Sequence, residues 1–412
     1  MTEKITRRTA VGLMGAAAAL ARPSLALAAD DVEVAMLVPL SGPWAEQGIL
    51  EKAGAEMAID DINQAGGLQG MGGARLKLAS VDTGATAETA KDAAQRMLSQ
   101  HPNLAGGFGC WLSTFTLAAT EVTERAGLPW LTLSYSDAIT DRGFKNVFQT
   151  APTANTQAEE IVPYLMKLAQ GATGKTPTKV AIIGDNTAAS VSFLKPIQDH
   201  VLKQQKLEAV VNQIYTPPLA DATALVQPVR GAKPDFVMLL STNNGDDKII
   251  ADSFTQYGMP ATKLPLIGNG GHWVVPEMLK TAGKDILQDI LIGLANWPGK
   301  AVDELSARYV KRTGNPWFGH NEIFAYAHVQ MFAWAINKAG SADKQKVGDT
   351  IRTMDITDGP AVYFPGSHLK FDDKGRRVDA QLVIVQWQDG KPVTVFPEHM
   401  AVAKPVWPTS AS

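Results

Sequence analysis

The sequence predicts an α/β protein made of two doubly wound parallel-sheet lobes. Three observations carry this expectation. Short apolar, β-branched runs alternate with longer amphipathic stretches from residue 32 to residue 133, the pattern of a parallel sheet covered on both faces. The same alternation restarts at residue 157 and continues to residue 268. At 412 residues the chain also exceeds the size at which one hydrophobic core gives way to two.

In the first lobe, residues 32–39 read as a buried strand, followed by a loop and a helix over 47–64. The helix stops at Gly66-Gly67, because glycine readily takes the left-handed conformation that ends helices. A strand at 75–81, a helix at 87–99 and a strand at 104–110 come next. A helix over 114–126, closed by Gly127, leads into a strand at 129–133. The second lobe reads as helix 157–169, strand 178–183, helix 190–206 and strand 208–215. Helix 221–231, strand 235–240, helix 246–257 and strand 264–268 complete it. Residues 302–352 are helix-rich, with Phe324, Val329, Phe332 and Ile336 along the apolar side. The tail alternates over 369–371 and 381–387, then turns at Asp389-Gly390-Lys391 into 393–396, a terminal antiparallel ribbon.

The amino terminus has the layout of an export leader. Arg7-Arg8 precede an apolar run from Leu13 to Leu20, and Ala26-Leu27-Ala28 offers a small-x-small cleavage site. Twin arginines are typical of the route that exports folded proteins. The run is much shorter than the ~20 residues a bilayer span needs. Residues 1–28 are therefore expected to be a twin-arginine-type signal peptide, and the mature protein periplasmic. Taking four basic residues and one acidic residue of the leader from totals of 38 and 41 leaves a net charge of −6. Such a chain has no electrostatic case for nucleic acid or an anionic membrane surface.

Catalytic and cofactor signatures fail on inspection. Gly171-Ala-Thr-Gly174-Lys175-Thr176 imitates a phosphate loop, but the first glycine of that motif would fall on Ala169, and the segment follows a helix. Gly107-Phe-Gly109 and Gly268-Asn-Gly270-Gly271 each lack the third glycine of a dinucleotide fingerprint. No zinc-protease, paired-cysteine or nucleophile-elbow motif occurs. His320 and His328 are too far apart to share one helical turn as a metal pair. The single cysteine, Cys110, has no histidine near it in sequence and is read as a packed thiol. No enzyme, metal or cofactor is expected.

What remains is a set of polar loops at the carboxyl ends of predicted strands, where open α/β sheets hold their ligands. They are Leu40-Ser41-Gly42-Pro43-Trp44, Trp111-Leu112-Ser113-Thr114 and Ser134-Tyr135-Ser136-Asp137. A helix beginning at Ser113 or Thr114 offers free N–H groups beside a hydroxyl, a natural anion site. Each loop alone could be mere helix capping; three on one sheet edge favour a ligand cleft.

The chain resembles the type I periplasmic binding proteins of the leucine/isoleucine/valine-binding family. The marks are Val38-Pro39-Leu40-Ser41-Gly42-Pro43, Ala58-Ile59-Asp60-Asp61-Ile62-Asn63-Gln64-Ala65-Gly66-Gly67 and Val81-Asp82-Thr83. Ala126-Gly127-Leu128-Pro129, Ser136-Asp137-Ala138-Ile139-Thr140 and Lys233-Pro234-Asp235 add to them. The resemblance implies two lobes joined by three hinge crossovers, near residues 152, 293 and 358. Lobe 1 would then hold residues 29–152 and 293–358, and lobe 2 residues 153–292 and 359–412. It also implies a monomer that closes on a small ligand and delivers it to an inner-membrane ATP-driven permease.

By the same resemblance the ligand carboxylate falls to Ser113, the Ser134 segment and the Ser136 hydroxyl, with Trp44, Trp111, Leu112, Thr114 and Tyr135 around it. Amino-acid binders of the family hold the ammonium with an acid in a glycine-rich turn of the second lobe. Here that turn reads Gly268-Asn269-Gly270-Gly271-His272-Trp273, and the acidic position falls on Gly270. Ala189 stands where those proteins place a tyrosine, and Thr242, beside Asn243, where they place another aromatic. Glu322, Asp137 and Asp185 are the acids that could substitute. Without one, a buried ammonium is heavily penalised, and the expected ligand is a small non-amino aliphatic or aromatic acid. A sensory module has the same cleft and is the alternative reading; a hydrolase would need a nucleophile–base pair.

Overall fold

The structure is a computed structural model that describes residues 30–408, so the expected leader lies outside the described residues. The chain begins with β1 (Val32–Val38), α1 (Ala45–Gln64), β2 (Leu76–Asp82), α2 (Ala87–Gln100), β3 (Gly106–Gly109), α3 (Ser113–Arg125), β4 (Trp130–Thr132) and β5 (Val147–Gln149). These five strands form one parallel sheet in the order β2-β1-β3-β4-β5. Central β1 is apolar apart from Glu33 and buried along nearly its whole length, as a strand covered on both faces must be. Thr86 starts α2 with a reciprocal cap to Thr89.

The chain then crosses to a second sheet. Its elements are α4 (Ala154–Thr173), β6 (Lys179–Asp185), α5 (Ala188–Pro196), α6 (Leu202–Gln205), β7 (Glu208–Tyr215), α7 (Thr223–Ala232), β8 (Phe236–Leu240) and α8 (Asn244–Gln256), followed by β9 (Leu266–Asn269), α9 (Pro276–Ala282), α10 (Lys284–Leu287) and β10 (Leu291–Leu294). The single helix expected over 190–206 is broken into α5 and α6 by a π-turn at Ile197–Val201. Pro196 lies just before that turn, and a proline ring inside a helix displaces the carbonyl four residues earlier.

Helices α11 (Asp303–Thr313), α12 (His320–Ala339) and α13 (Lys344–Arg352) return to the first sheet. The approach of α12 to α1 is close enough that a Cβ on Gly54 would stand 2.2 Å from the Glu322 carbonyl oxygen. Two short strands, β11 (Asp355–Ile356) and β12 (Leu369–Lys370), pair antiparallel. The terminal ribbon, β13 (Val383–Gln388) and β14 (Lys391–Phe396), adds antiparallel to the edge at β10. The second sheet runs β14-β13-β10-β9-β8-β6-β7.

Three strands escape the sequence reading, β5, β10 and β11, at three, four and two residues. Runs that short carry no measurable alternation. Their positions move the expected boundaries. β10 ends at Leu294, inside the second sheet, so the chain leaves that sheet after residue 294 rather than at 293. Residues beyond 358 still lie on the first sheet: Gln149 N donates to Gly375 O at 2.8 Å and Gln149 O accepts from Arg377 N at 2.9 Å. The third crossover therefore falls between Arg377 and Val383. The Arg377 guanidinium ties it to the first crossover, with Nε donating to Thr150 O at 2.7 Å and Nη1 to Pro365 O at 3.1 Å.

Candidate functional site

The carboxyl ends of β3 and β4 face those of β6, β8 and β9 across a cavity whose empty volume, counting the part open to solvent, is about 370 Å³. From the first sheet it is lined by Trp111, Leu112, Ser113, Leu133, Ser134 and Tyr135. From the second come Ala189, Ser241, Thr242, Asn269, Gly270, Gly271 and His272, while His320 enters from the start of α12. No acidic, lysine or arginine side chain is among them.

The first wall is built on a strained turn. Cys110 and Trp111 both take left-handed φ, 69° and 47°, after Gly109 at 112°. Such conformations are costly for side-chain-bearing residues and cluster at binding sites. The turn swings Trp111 into the cavity, where its Nε1 donates to Asn321 Oδ1 at 3.0 Å. Asn321 Nδ2 in turn donates to Gln47 Oε1 at 2.6 Å. Cys110 is fully buried, and burial beside Glu51 pushes its thiol up, leaving it a packing group.

Helix α3 starts at Ser113. Its Oγ accepts from Tyr135 N at 3.2 Å and Ser136 N at 3.1 Å, so the hydroxyl proton is left to donate elsewhere. Phe115 N and Thr116 N both turn back to Leu112 O. The N–H groups of Ser113 and Thr114 precede any possible intrahelical acceptor, which leaves them the donors of an anion site.

The other serines are spent. Ser134 Oγ donates to Trp111 O at 2.7 Å and also meets Thr116 Oγ1 at 2.6 Å and Thr132 Oγ1 at 3.0 Å. Its hydroxyl is engaged in holding the turn, while the residue itself lines the cavity. The Tyr135 hydroxyl is likewise engaged with His320 Nε2 at 3.1 Å. His320 Nδ1 faces the Asn296 carbonyl at 2.9 Å and must donate there, so Nε2 is the acceptor. Burial lowers the His320 pKa to about 4, which keeps the ring neutral.

The second wall is backed by buried acids that do not reach the cavity. Thr242 Oγ1 donates to Asp185 Oδ2 at 2.6 Å, and Ser241 Oγ donates to Asp247 Oδ1. His272 Nε2 stands 3.2 Å from Asp247 Oδ2, without the alignment of a hydrogen bond. Burial lowers His272 to about 3 and pushes Asp247 well above the usual carboxylate range, with Asp246 and Asp185 adding to the latter. Gly270 has φ 106° and ψ 160°, a conformation reserved for glycine.

Four residues expected at the ligand stand elsewhere. Trp44 turns away to meet Phe115 edge-on, with ring centroids 5.5 Å apart. Thr114 Oγ1 accepts from Ala188 N at 3.2 Å, and Asn243 Nδ2 donates to Pro43 O at 2.8 Å. Both are contacts between the two sheets at the cleft rim. Ser136 contributes its N–H to Ser113 and its carbonyl to Gln149 Nε2, and its hydroxyl does not line the cavity. None of the substitute acids lines it either. Asp137 is held by Ser192 and Asn155 N, Asp185 by Thr187 and Thr242, and Glu322 by Tyr309.

The sequence reading missed Leu133, Ser241, Asn269, Gly271 and His320. Asn269 and Gly271 lay inside the glycine-rich turn, and an amide at the end of a strand was the available signal. His320 reaches Tyr135 across 185 residues, a separation at which one sequence carries no local signal.

A family model described as periplasmic binding protein matches residues 31–392. The Leu/Ile/Val-binding protein homolog 7 of Brucella suis biovar 1 is 30% identical over 391 residues, covering 92% of this chain and 94% of that protein. The branched-chain amino acid transporter substrate-binding protein LivJ of Streptococcus pneumoniae, solved with isoleucine, superposes with a TM-score of 0.75. It is 19% identical, over 89% of this chain and all of that one. A solute-binding protein from R. palustris, solved with benzoate, superposes with a TM-score of 0.73 at 16% identity, over 93% of this chain and 99% of that one.

Proposed function

Since the chain belongs to the periplasmic binding protein family, a family of solute binders, we propose that it captures a small non-amino carboxylic acid and presents it to an inner-membrane ATP-driven permease. The observation that carries this reading is the charge pattern of the cavity. One wall offers the Ser113 hydroxyl and the first N–H groups of α3, while no lining side chain is acidic. A carboxylate is welcome there, because a hydrogen bond to a charged group contributes about 1.5–3 kcal/mol. An ammonium would be buried without a counter-charge.

Trp111, with its ring edge-on to His272 at 5.8 Å between centroids, supplies the apolar face for the body of the ligand. Closure brings the two sheets together through the rim contacts Thr114–Ala188 and Asn243–Pro43, a population shift driven by the ligand's preference for the closed form. We assign the mature chain to the periplasm, as a monomer exported by the twin-arginine route.

The test is a thermal-shift panel pairing leucine and valine with their deaminated carboxylates and with benzoate. A ligand at 100 times its Kd adds about 2.7 kcal/mol of stability, which moves the melting temperature measurably. Stabilisation by the plain acids supports the reading. Stabilisation by leucine alone overturns it.

A further inference from the structure

The protons of the second wall point away from the cavity. Thr242 Oγ1 gives its only proton to Asp185 Oδ2 at 2.6 Å. Asp185 is otherwise occupied, its Oδ1 accepting from Thr187 N at 3.0 Å and Thr187 Oγ1 at 2.7 Å. Towards the cavity Thr242 can therefore only accept.

Asn269 is oriented by the same logic. Gln157 Nε2 donates to the Pro152 carbonyl at 2.9 Å, so Gln157 Oε1 is the atom facing Asn269. It accepts one proton of Asn269 Nδ2 at 3.3 Å, which leaves Asn269 Oδ1, beside the second Nδ2 proton, without a protein partner. His272 is 2% exposed, lines the cavity, and has no hydrogen-bond partner on either ring nitrogen. Thr242 Oγ1 and Asn269 Oδ1 thus present acceptors, opposite a first wall that presents donors.

We infer that the second wall reads hydrogen-bond donors, and that the ligand is a carboxylic acid carrying an uncharged donor, a hydroxyl in the simplest case, at the end away from its carboxylate. This rests on the carboxylate assignment above and sharpens it. A hydroxyl satisfies the lone pairs of Thr242 and Asn269, whereas a plain hydrocarbon end leaves them desolvated and unpaired. An ammonium also donates, but it meets no formal charge on the cavity surface.

Calorimetry of the mature protein tests this with benzoate, 3- and 4-hydroxybenzoate and their O-methyl ethers, alongside leucine. One hydroxy acid is expected to bind at least about tenfold more tightly than both its deoxy and its O-methyl counterparts. In Thr242→Val the ratio of hydroxy-acid to deoxy-acid affinity should collapse towards one, and Thr242→Ser should restore it. Equal affinity for hydroxy, deoxy and O-methyl acids overturns the inference but leaves the carboxylate reading standing. Tightest binding of leucine, or no binding of any acid, overturns both.

Discussion

A side chain at position 270 and the His272 ring exclude one another: a Cβ on Gly270 would stand 2.7 Å from His272 Cε1 and 2.9 Å from Nδ1. The position read as the family's ammonium-binding acid is thus closed twice, by the imidazole and by a backbone conformation only glycine tolerates. Gly270→Asp is expected to lower the melting temperature by several degrees, since left-handed strain alone costs about 1–3 kcal/mol. It should also fail to confer leucine binding, as a melt and a leucine titration of the variant will show.

Ser113 has two jobs, and its removal should expose both. Ser113→Ala loses the donor to the ligand and strips Tyr135 N and Ser136 N of their acceptor. Affinity for carboxylates should fall about tenfold or more, and apo stability by about 1–3 kcal/mol. Ser136→Ala, whose hydroxyl does not line the cavity, should leave both nearly unchanged. Calorimetry and thermal melts of the two variants separate the roles.

Asn243 caps α8, accepting from Asp246 N at 3.1 Å, while its amide reaches Pro43 O across the cleft. Asn243→Ala should cost about 1 kcal/mol from the lost cap. It should also shift the unliganded protein towards an open form, seen as an increased radius of gyration in solution scattering. Addition of ligand should restore the compact value, at a weakened affinity.

Glu322 is buried and its pKa is raised to about 7 by desolvation. In the unfolded chain it would titrate near the ordinary 4.5. The unfolded state therefore loses its proton first, and the group removes stability as pH climbs from 4.5 towards 7, by about 1.4 kcal/mol per unit at most. Glu322→Gln should melt at a higher temperature relative to wild type at pH 8 than at pH 4. A difference independent of pH would mean that the carboxyl is not held protonated.

The two-lobe parallel-sheet class was legible because long parallel strands such as 208–215 are marked by β-branched runs between helices. β5 and β10 were not, because three or four residues cannot establish a period, and with them went the crossover positions. Part of the cleft was legible as polar loops after strands, which hold Trp111 and Ser113; Thr242 and His272 came from the family resemblance, and all four line one cavity. Whether a hydroxyl faces the ligand or the protein is a different matter. Ser134 and Ser136 look alike in sequence, but only the fold shows Ser134 bound to Trp111 O and Ser136 turned out of the cavity. His320 is the extreme case, brought to Tyr135 by the packing of α12.

The most direct test of the account is a crystal structure of the mature protein with a bound plain acid such as benzoate. The account predicts the carboxylate within hydrogen-bond distance of Ser113 Oγ and of the Ser113 or Thr114 N–H, with the ring against Trp111. A carboxylate turned instead towards Thr242 and His272, or a ligand held outside this cavity, would contradict it.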